Sequence, residues 1–170
     1  PAPLHHARIE DTMKNTKQWF EAAVPNPTAK NLEVQLGVHL EEVSEMMLGF
    51  IVESNDSNTI VDWFKHLAME IDKVASELKQ GKYTITNVDA DAVLDGITDQ
   101  QVTAIGIGHM LGMDTTGALA EVDRSNFSKF GKDGQPIFDE NGKIKKGPHY
   151  VKPNLEPFLP SPERIQQVLN

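Results

Sequence analysis

Leu40-Glu41-Glu42-Val43-Ser44-Glu45-Met46-Met47 is the stretch on which the reading of this chain turns. At about 3.6 residues per helical turn, Leu36, Leu40, Val43, Met47 and Phe50 fall in one apolar stripe. The three glutamates project from the other side. Such a face is ordinarily a solvated one. Here, however, Val34, Val38, Gly49 and Val52 share the glutamates' side, so a helix over about 29–54 is apolar nearly all round and is expected to pack on two sides. Three carboxylates set in such a surface repel one another unless a cation lies among them.

The flanking sequence reads as more helix. Residues 9–23 carry Ile9, Met13 and the Trp19-Phe20 pair before a break at Pro25-Asn26-Pro27. Beyond the polar run Ser54–Asn58, the residues Ile60, Trp63, Phe64, Leu67, Ile71, Val74, Ala75 and Leu78 recur at three-four spacing, which predicts a helix over 60–79 closed by Gln80-Gly81. Its Trp63/Phe64/Leu67/Ile71 face reads as core. Two further helices are expected over about Asp89–Leu111 and Thr115–Ser128. The turn signals Gly131-Lys132-Asp133-Gly134 and Asn141-Gly142 flank Pro136-Ile137-Phe138 and Ile144, as in a small hairpin with a type I′ turn at Asn-Gly. Residues 153–162 hold four prolines and are expected to run extended, after which Ser161-Pro162-Glu163 opens a short last helix. The expected architecture is one all-α domain over 1–170. It is a bundle of four to five helices over about 9–129, followed by a small C-terminal β-hairpin and an extended tail. Helices apolar nearly all round also predict an oligomer, a homodimer or homotetramer.

A second acidic pattern lies on the fourth helix. Asp91, Asp95 and Asp99 stand at i, i+4 and i+8, on one face that continues through Val102, Ile105, Gly106 and His109 and so is expected to point inward. Like charges at this spacing oppose the helix by a few tenths of a kcal/mol per pair, roughly. An acidic first turn suits the helix dipole and accounts for Asp89 and Asp91, but not for Asp99. Eight residues rise about 12 Å, so two adjacent aspartates can share an ion and all three cannot. Two acidic faces without a matching basic one point to a hard divalent cation, Mg²⁺ or Mn²⁺ rather than zinc. A di-iron bundle would need Glu-x-x-His pairs, and the order here is reversed at His39-x-x-Glu42.

Composition excludes much else. Of 170 residues, 25 are Asp or Glu and 16 Lys or Arg, giving a formal net charge of −9, against general nucleic-acid binding. There is no cysteine, so disulfides, thiolate metal sites and thiol catalysis are out. No run approaches the length of a membrane span, and Pro1–Ile9 has no apolar signal-peptide core, so a cytoplasmic location is the expectation. Neither Gly-x-Ser-x-Gly nor a Walker A motif occurs. Six lysines, Lys129, Lys132, Lys143, Lys145, Lys146 and Lys152, cluster late in the chain. Trp19 is placed to stack on a planar ligand or to serve as core.

Taken in order, four segments resemble the all-α nucleoside triphosphate pyrophosphohydrolases, the MazG-like superfamily that includes dimeric dUTPases and phosphoribosyl-ATP pyrophosphohydrolases. These are Glu41-Glu42-Val43-Ser44-Glu45, then Asp95-Gly-Ile-Thr-Asp99 with Leu111-Gly112-Met113-Asp114, then Glu121–Lys129, and finally Gly131–Pro136 with Asn141-Gly142-Lys143 and Lys146-Gly147-Pro148. The likeness spans roughly residues 30–150. It implies Mg²⁺-dependent cleavage of a nucleoside triphosphate between the α and β phosphates, with Mn²⁺ as a possible substitute. Glu42, Glu45, Asp95 and Asp99 are the implied metal ligands and Glu41 the general base. Asn126 and Lys129 are the implied substrate contacts, and Trp19 is added to them on its aromatic character, not on the resemblance. Two departures stand out. Ala92 and Gly96 occupy positions where the family's Glu-x-x-Asp would need Glu, so Asp91 or Asp95 would have to substitute, and the 60–79 helix lengthens the interval between the acidic motifs. A catalytically silent metal- or nucleotide-binding module of the same fold is the alternative these departures leave open.

Overall fold

A computed structural model describes residues 9–56, 62–139 and 144–170. Among these, the structure is helical: α1 Ile9–Ala23, α2 Ala29–Leu48, α3 Asp62–Lys79, α4 Ala90–Leu111, α5 Thr115–Phe127 and α6 Pro162–Leu169, with a short 3₁₀ turn at Glu156–Phe158. The start of the 60–79 helix at Ile60 lies outside the described residues.

The helix ends follow local chemistry. Thr28 caps α2 and forms a reciprocal box with Asn31, its hydroxyl accepting from the Asn31 N–H at 3.2 Å while the Asn31 amide oxygen accepts from the Thr28 N–H at 3.0 Å. Asp89 accepts from the Ala92 N–H, Asp114 from the Gly117 N–H, and Ser161 from the Arg164 N–H ahead of Pro162. α4 stops at Gly112, whose φ of 75° is a left-handed cap that residues with a Cβ rarely adopt. α2 ends at Leu48, short of the expected 54 by more than one and a half turns. The Gly49 N–H closes the last turn on Glu45 and Met46, and the following Ile51-Val52 pair has little helical preference.

The described chain divides into two compact units, residues 26–88 and residues 1–25 with 89–170. The first is an antiparallel pair, α2 against α3. Its seam is built from small residues seven apart on each helix, Gly37 and Ser44 on α2 facing Ala75 and Ala68 on α3. A Cβ on residue 37 would lie 2.6 Å from the Ala75 carbonyl oxygen, inside van der Waals contact, so only glycine permits this approach. Ser44 is 1% exposed and its hydroxyl donates to the Ala68 carbonyl at 2.7 Å. Below the seam, the buried Glu33 carboxylate accepts from the Ile85 N–H at 3.2 Å.

In the second unit α1 packs on α5, and α4 meets α5 and α6. The tail lies along α5. Glu121 binds Arg124 through two hydrogen bonds of 2.7 Å and accepts from the Asn154 N–H at 2.9 Å, and Ser128 accepts from the Val151 N–H. Arg124 holds the Glu121 carboxyl down at about 2.

Three expectations about packing change. The stripe on α2 is not the buried face, since Leu36 is 40% exposed while Glu33, Gly37 and Ser44 are buried. The face of α3 expected to be core leaves Trp63 59% and Leu67 53% exposed, because the small residues Ala68 and Ala75 form the contact instead. The aspartate face of α4 does not point inward: Val102 is 64% exposed, and α4 is anchored at its C-terminal end, where Gly108 lies under Thr115. Of the expected hairpin, the described residues show one isolated antiparallel bridge, Phe138 with Ile144, and no strand. Its Asn141-Gly142 turn lies outside them. No helix among the described residues is long and apolar enough to cross a membrane.

Gly37→Val forces a branched side chain against the Ala75 carbonyl. We expect it to destabilise the fold by about 1–3 kcal/mol, the scale of overpacking a tight contact, read as a lower urea midpoint. An unchanged midpoint would remove the seam from this account.

Candidate functional site

The small-residue seam sets the azimuth of α2 and with it the glutamates. With Gly37 and Ser44 turned to α3, Glu42 and Glu45 are exposed, and Glu41 lies at the edge of the contact, half-buried. Lys79, in the last turn of α3, reaches across and its ammonium meets Glu41 Oε2 at 2.7 Å. Glu42 is pushed above the ordinary carboxylate range, first by loss of solvent, then by the charges of Glu45 and Glu41, with His39 opposing. The α2 cluster is therefore a concentration of negative charge, eased by His39, beside one carboxylate paired with Lys79.

Asp95 and Asp99 stand on α4 one turn apart, both exposed. They belong to the unit of residues 89–170, whereas Glu42 and Glu45 belong to that of residues 26–88. Among the described residues, no group of three or more His, Asp or Glu side chains is gathered as a metal site.

The three expected substrate contacts do come together, all within the second unit. Asn126 and Lys129 are one helical turn apart at the end of α5, and Lys129 Nζ donates to Asn126 Oδ1 at 2.7 Å. The same ammonium lies 5.6 Å from the centre of the Trp19 ring, supplied by α1. Trp19 is stacked on Phe130 at 6.2 Å with the rings 13° apart, and it makes a T-shaped contact with Phe20 at 5.1 Å. One Trp19 face is thus already covered, so the ring serves first as a wall under Lys129. Burial lowers the Lys129 pKa, Lys146 adds to the effect, and Tyr150 opposes it. Lys146 itself sits 4.8 Å above the Tyr150 ring. The Trp19 Nε1 is buried and has no hydrogen-bond partner among the described residues.

Sequence reasoning missed two polar groups. One is Lys79, whose signal lay in the matched seven-residue spacings of Gly37/Ser44 and Ala68/Ala75 that bring α3 onto the glutamate helix. The other is Asp123, 3% exposed, with the Thr16 hydroxyl 2.9 and 3.0 Å from its two oxygens. It lies three residues before Asn126 and joins α5 to α1, so it fixes the two helices that carry Asn126, Lys129 and Trp19. No family model, curated protein or solved structure matches the chain.

Loss of solvent raises the Asp123 carboxyl above its ordinary value, with the Thr16 hydrogen bond opposing. The folded chain therefore holds this proton to higher pH than the unfolded chain does, and stability falls as pH rises from about 4 through the folded-state value. Asn in this position keeps an acceptor for Thr16 and has no proton to lose. The melting temperature of Asp123→Asn should rise relative to that of the parent as pH increases from 4 to 8. A constant difference across that range would contradict the assignment.

Proposed function

We propose that this chain is a Mg²⁺-dependent nucleoside triphosphate pyrophosphohydrolase of the MazG-like kind, an all-α enzyme with a small C-terminal hairpin. Its products are a nucleoside monophosphate and pyrophosphate. The observation that carries the reading is the crowding of Glu41, Glu42 and Glu45 on one side of α2, where partial loss of solvent and the charges of its two neighbours raise the Glu42 pKa. A divalent cation relieves that repulsion. Glu42 and Glu45 supply the oxygen donors Mg²⁺ prefers, and this ion characteristically keeps waters and substrate phosphates as its other ligands. Asp95 and Asp99 remain candidate ligands by the resemblance alone, and Mn²⁺ is the expected substitute.

When bound, Mg²⁺ supplies neutralisation of the phosphate charge and a more acidic water. Glu41 takes the proton of the attacking water as a new P–O bond forms and the bond to the α–β bridging oxygen breaks. Lys129 and Asn126 hold the phosphate or sugar, since a net charge of −9 would otherwise repel the substrate. Trp19 borders them as the wall under Lys129. Most of the rate then comes from positioning and fixed charge. A homodimer or homotetramer would cover the apolar residues that α4 leaves exposed, Leu94 and Val102 among them. The reading places the enzyme in the cytoplasm. The second reading is a catalytically silent metal- and nucleotide-binding module, favoured by Ala92 and Gly96 where the family pattern has Glu.

Pyrophosphate release from a panel of ribo- and deoxyribonucleoside triphosphates, with Mg²⁺, Mn²⁺ or EDTA, tests both. Release should require metal. Glu42→Gln and Glu45→Gln should each lower it on the order of 10²-fold or more, the scale of losing one electrostatic contact to a transition state, with helical circular dichroism unchanged. Full activity in both variants sinks the assignment. A metal-induced rise in melting temperature without turnover identifies the silent module.

A further inference from the structure

Glu41 differs from Glu42 and Glu45 in how the fold treats it. The Lys79 stem passes over Gly37, where a Cβ would sit 2.9 Å from Lys79 Cγ, so the crossing depends on the same absence of a side chain that lets the helices approach. The lysine backbone is held as well, its carbonyl accepting from Lys30 Nζ at 3.3 Å. Both partners of the pair are partly withdrawn from solvent, at 31% and 35% side-chain exposure, and the 2.7 Å separation is that of a charge-assisted hydrogen bond. Surface pairs with two free long side chains are loosely held, but this lysine is pinned along its length.

From this geometry we propose that Lys79 is the positioning residue of the candidate site, fixing the Glu41 carboxylate for proton transfer and keeping it out of the cation's ligand set. The inference rests on the pyrophosphohydrolase reading above. The bond to Glu41 Oε2 leaves Oε1 to accept from the attacking water, and it fixes the direction that oxygen faces. Without the lysine, Glu41 is a third mobile carboxylate next to Glu42 and Glu45, drawn to the same cation. Lys79 therefore gives three adjacent glutamates two roles, with Glu42 and Glu45 binding metal and Glu41 accepting the proton. It also gives α3, the helix that lengthens the interval between the acidic motifs, a part in the chemistry.

The test uses the whole chain with Lys79→Met, Lys79→Arg, Glu41→Gln and the double variant Lys79→Met/Glu41→Gln. Lys79→Met should lower kcat for metal-dependent pyrophosphate release by roughly 10- to 100-fold, the usual cost of removing a group that orients a ligand or base. KM for the triphosphate should stay within about twofold. Lys79→Arg should recover most of the loss, and the double variant should be no slower than Glu41→Gln, because the lysine acts through that carboxylate. Mn²⁺ titration followed by electron paramagnetic resonance should show affinity unchanged or tighter in Lys79→Met. If the parent is active and Lys79→Met matches it, or if the two losses multiply in the double variant, the positioning role is overturned and the enzyme assignment stands. A parent that releases no pyrophosphate from any triphosphate overturns both. Should Lys79→Met fail to fold, Lys79→Gln, which keeps a donor and the stem, is held to the same comparisons.

Discussion

The close approach of α2 and α3 governs the arrangement of the first unit. Where Gly37 meets the Ala75 carbonyl and Ser44 donates to that of Ala68, the backbones come nearer than side chains of ordinary size allow. A helix whose surface is apolar nearly all round has no preferred side to bury. The two small residues choose one, because dispersion and a buried hydrogen bond reward the face that can be approached most closely. Everything the glutamates do follows from that rotation. Glu42 and Glu45 are carried off the contact and Glu41 to the edge where Lys79 arrives, while Leu36 is left 40% exposed.

In the second unit the organising element is α5, whose faces have separate tasks. Asp123 faces α1, Asn126 follows one turn on and accepts from Lys129, and Lys129 lies over Trp19, which rests on Phe130 just beyond the helix. Glu121, Arg124 and Ser128 hold the proline-rich tail. The tail's anchor is a charge pair with two parallel hydrogen bonds, a geometry specific to Arg and carboxylate. A short helix thus ties a candidate ligand-binding face to the segment that covers its other side.

The acidic helices and the late lysines act oppositely on an anionic ligand. The α2 and α4 carboxylates would repel a polyphosphate, and the late lysines would attract one. Lys129 is buried enough for its ammonium to be destabilised, and binding an anion beside it would offset that cost.

What the sequence by itself determined is local. The helices are legible because periodicity and caps act over a few residues: Thr28, Asp89, Asp114 and Ser161 each bond to an N–H three positions on. Part of the site is legible for the same reason, since Glu41, Glu42 and Glu45 share one helix and Asn126 and Lys129 are one turn apart. The end of α2 was overestimated because apolar residues continue past Gly49, where the backbone stops. Only the tertiary structure decided which faces are buried, that Trp19 lies under Lys129, and that Lys79 pairs with Glu41. Those contacts join residues far apart in the chain, and they depend on how closely two backbones can approach. That distance is set by small side chains at matched positions, Gly37 and Ser44 against Ala75 and Ala68, and hydrophobic periodicity carries no record of it.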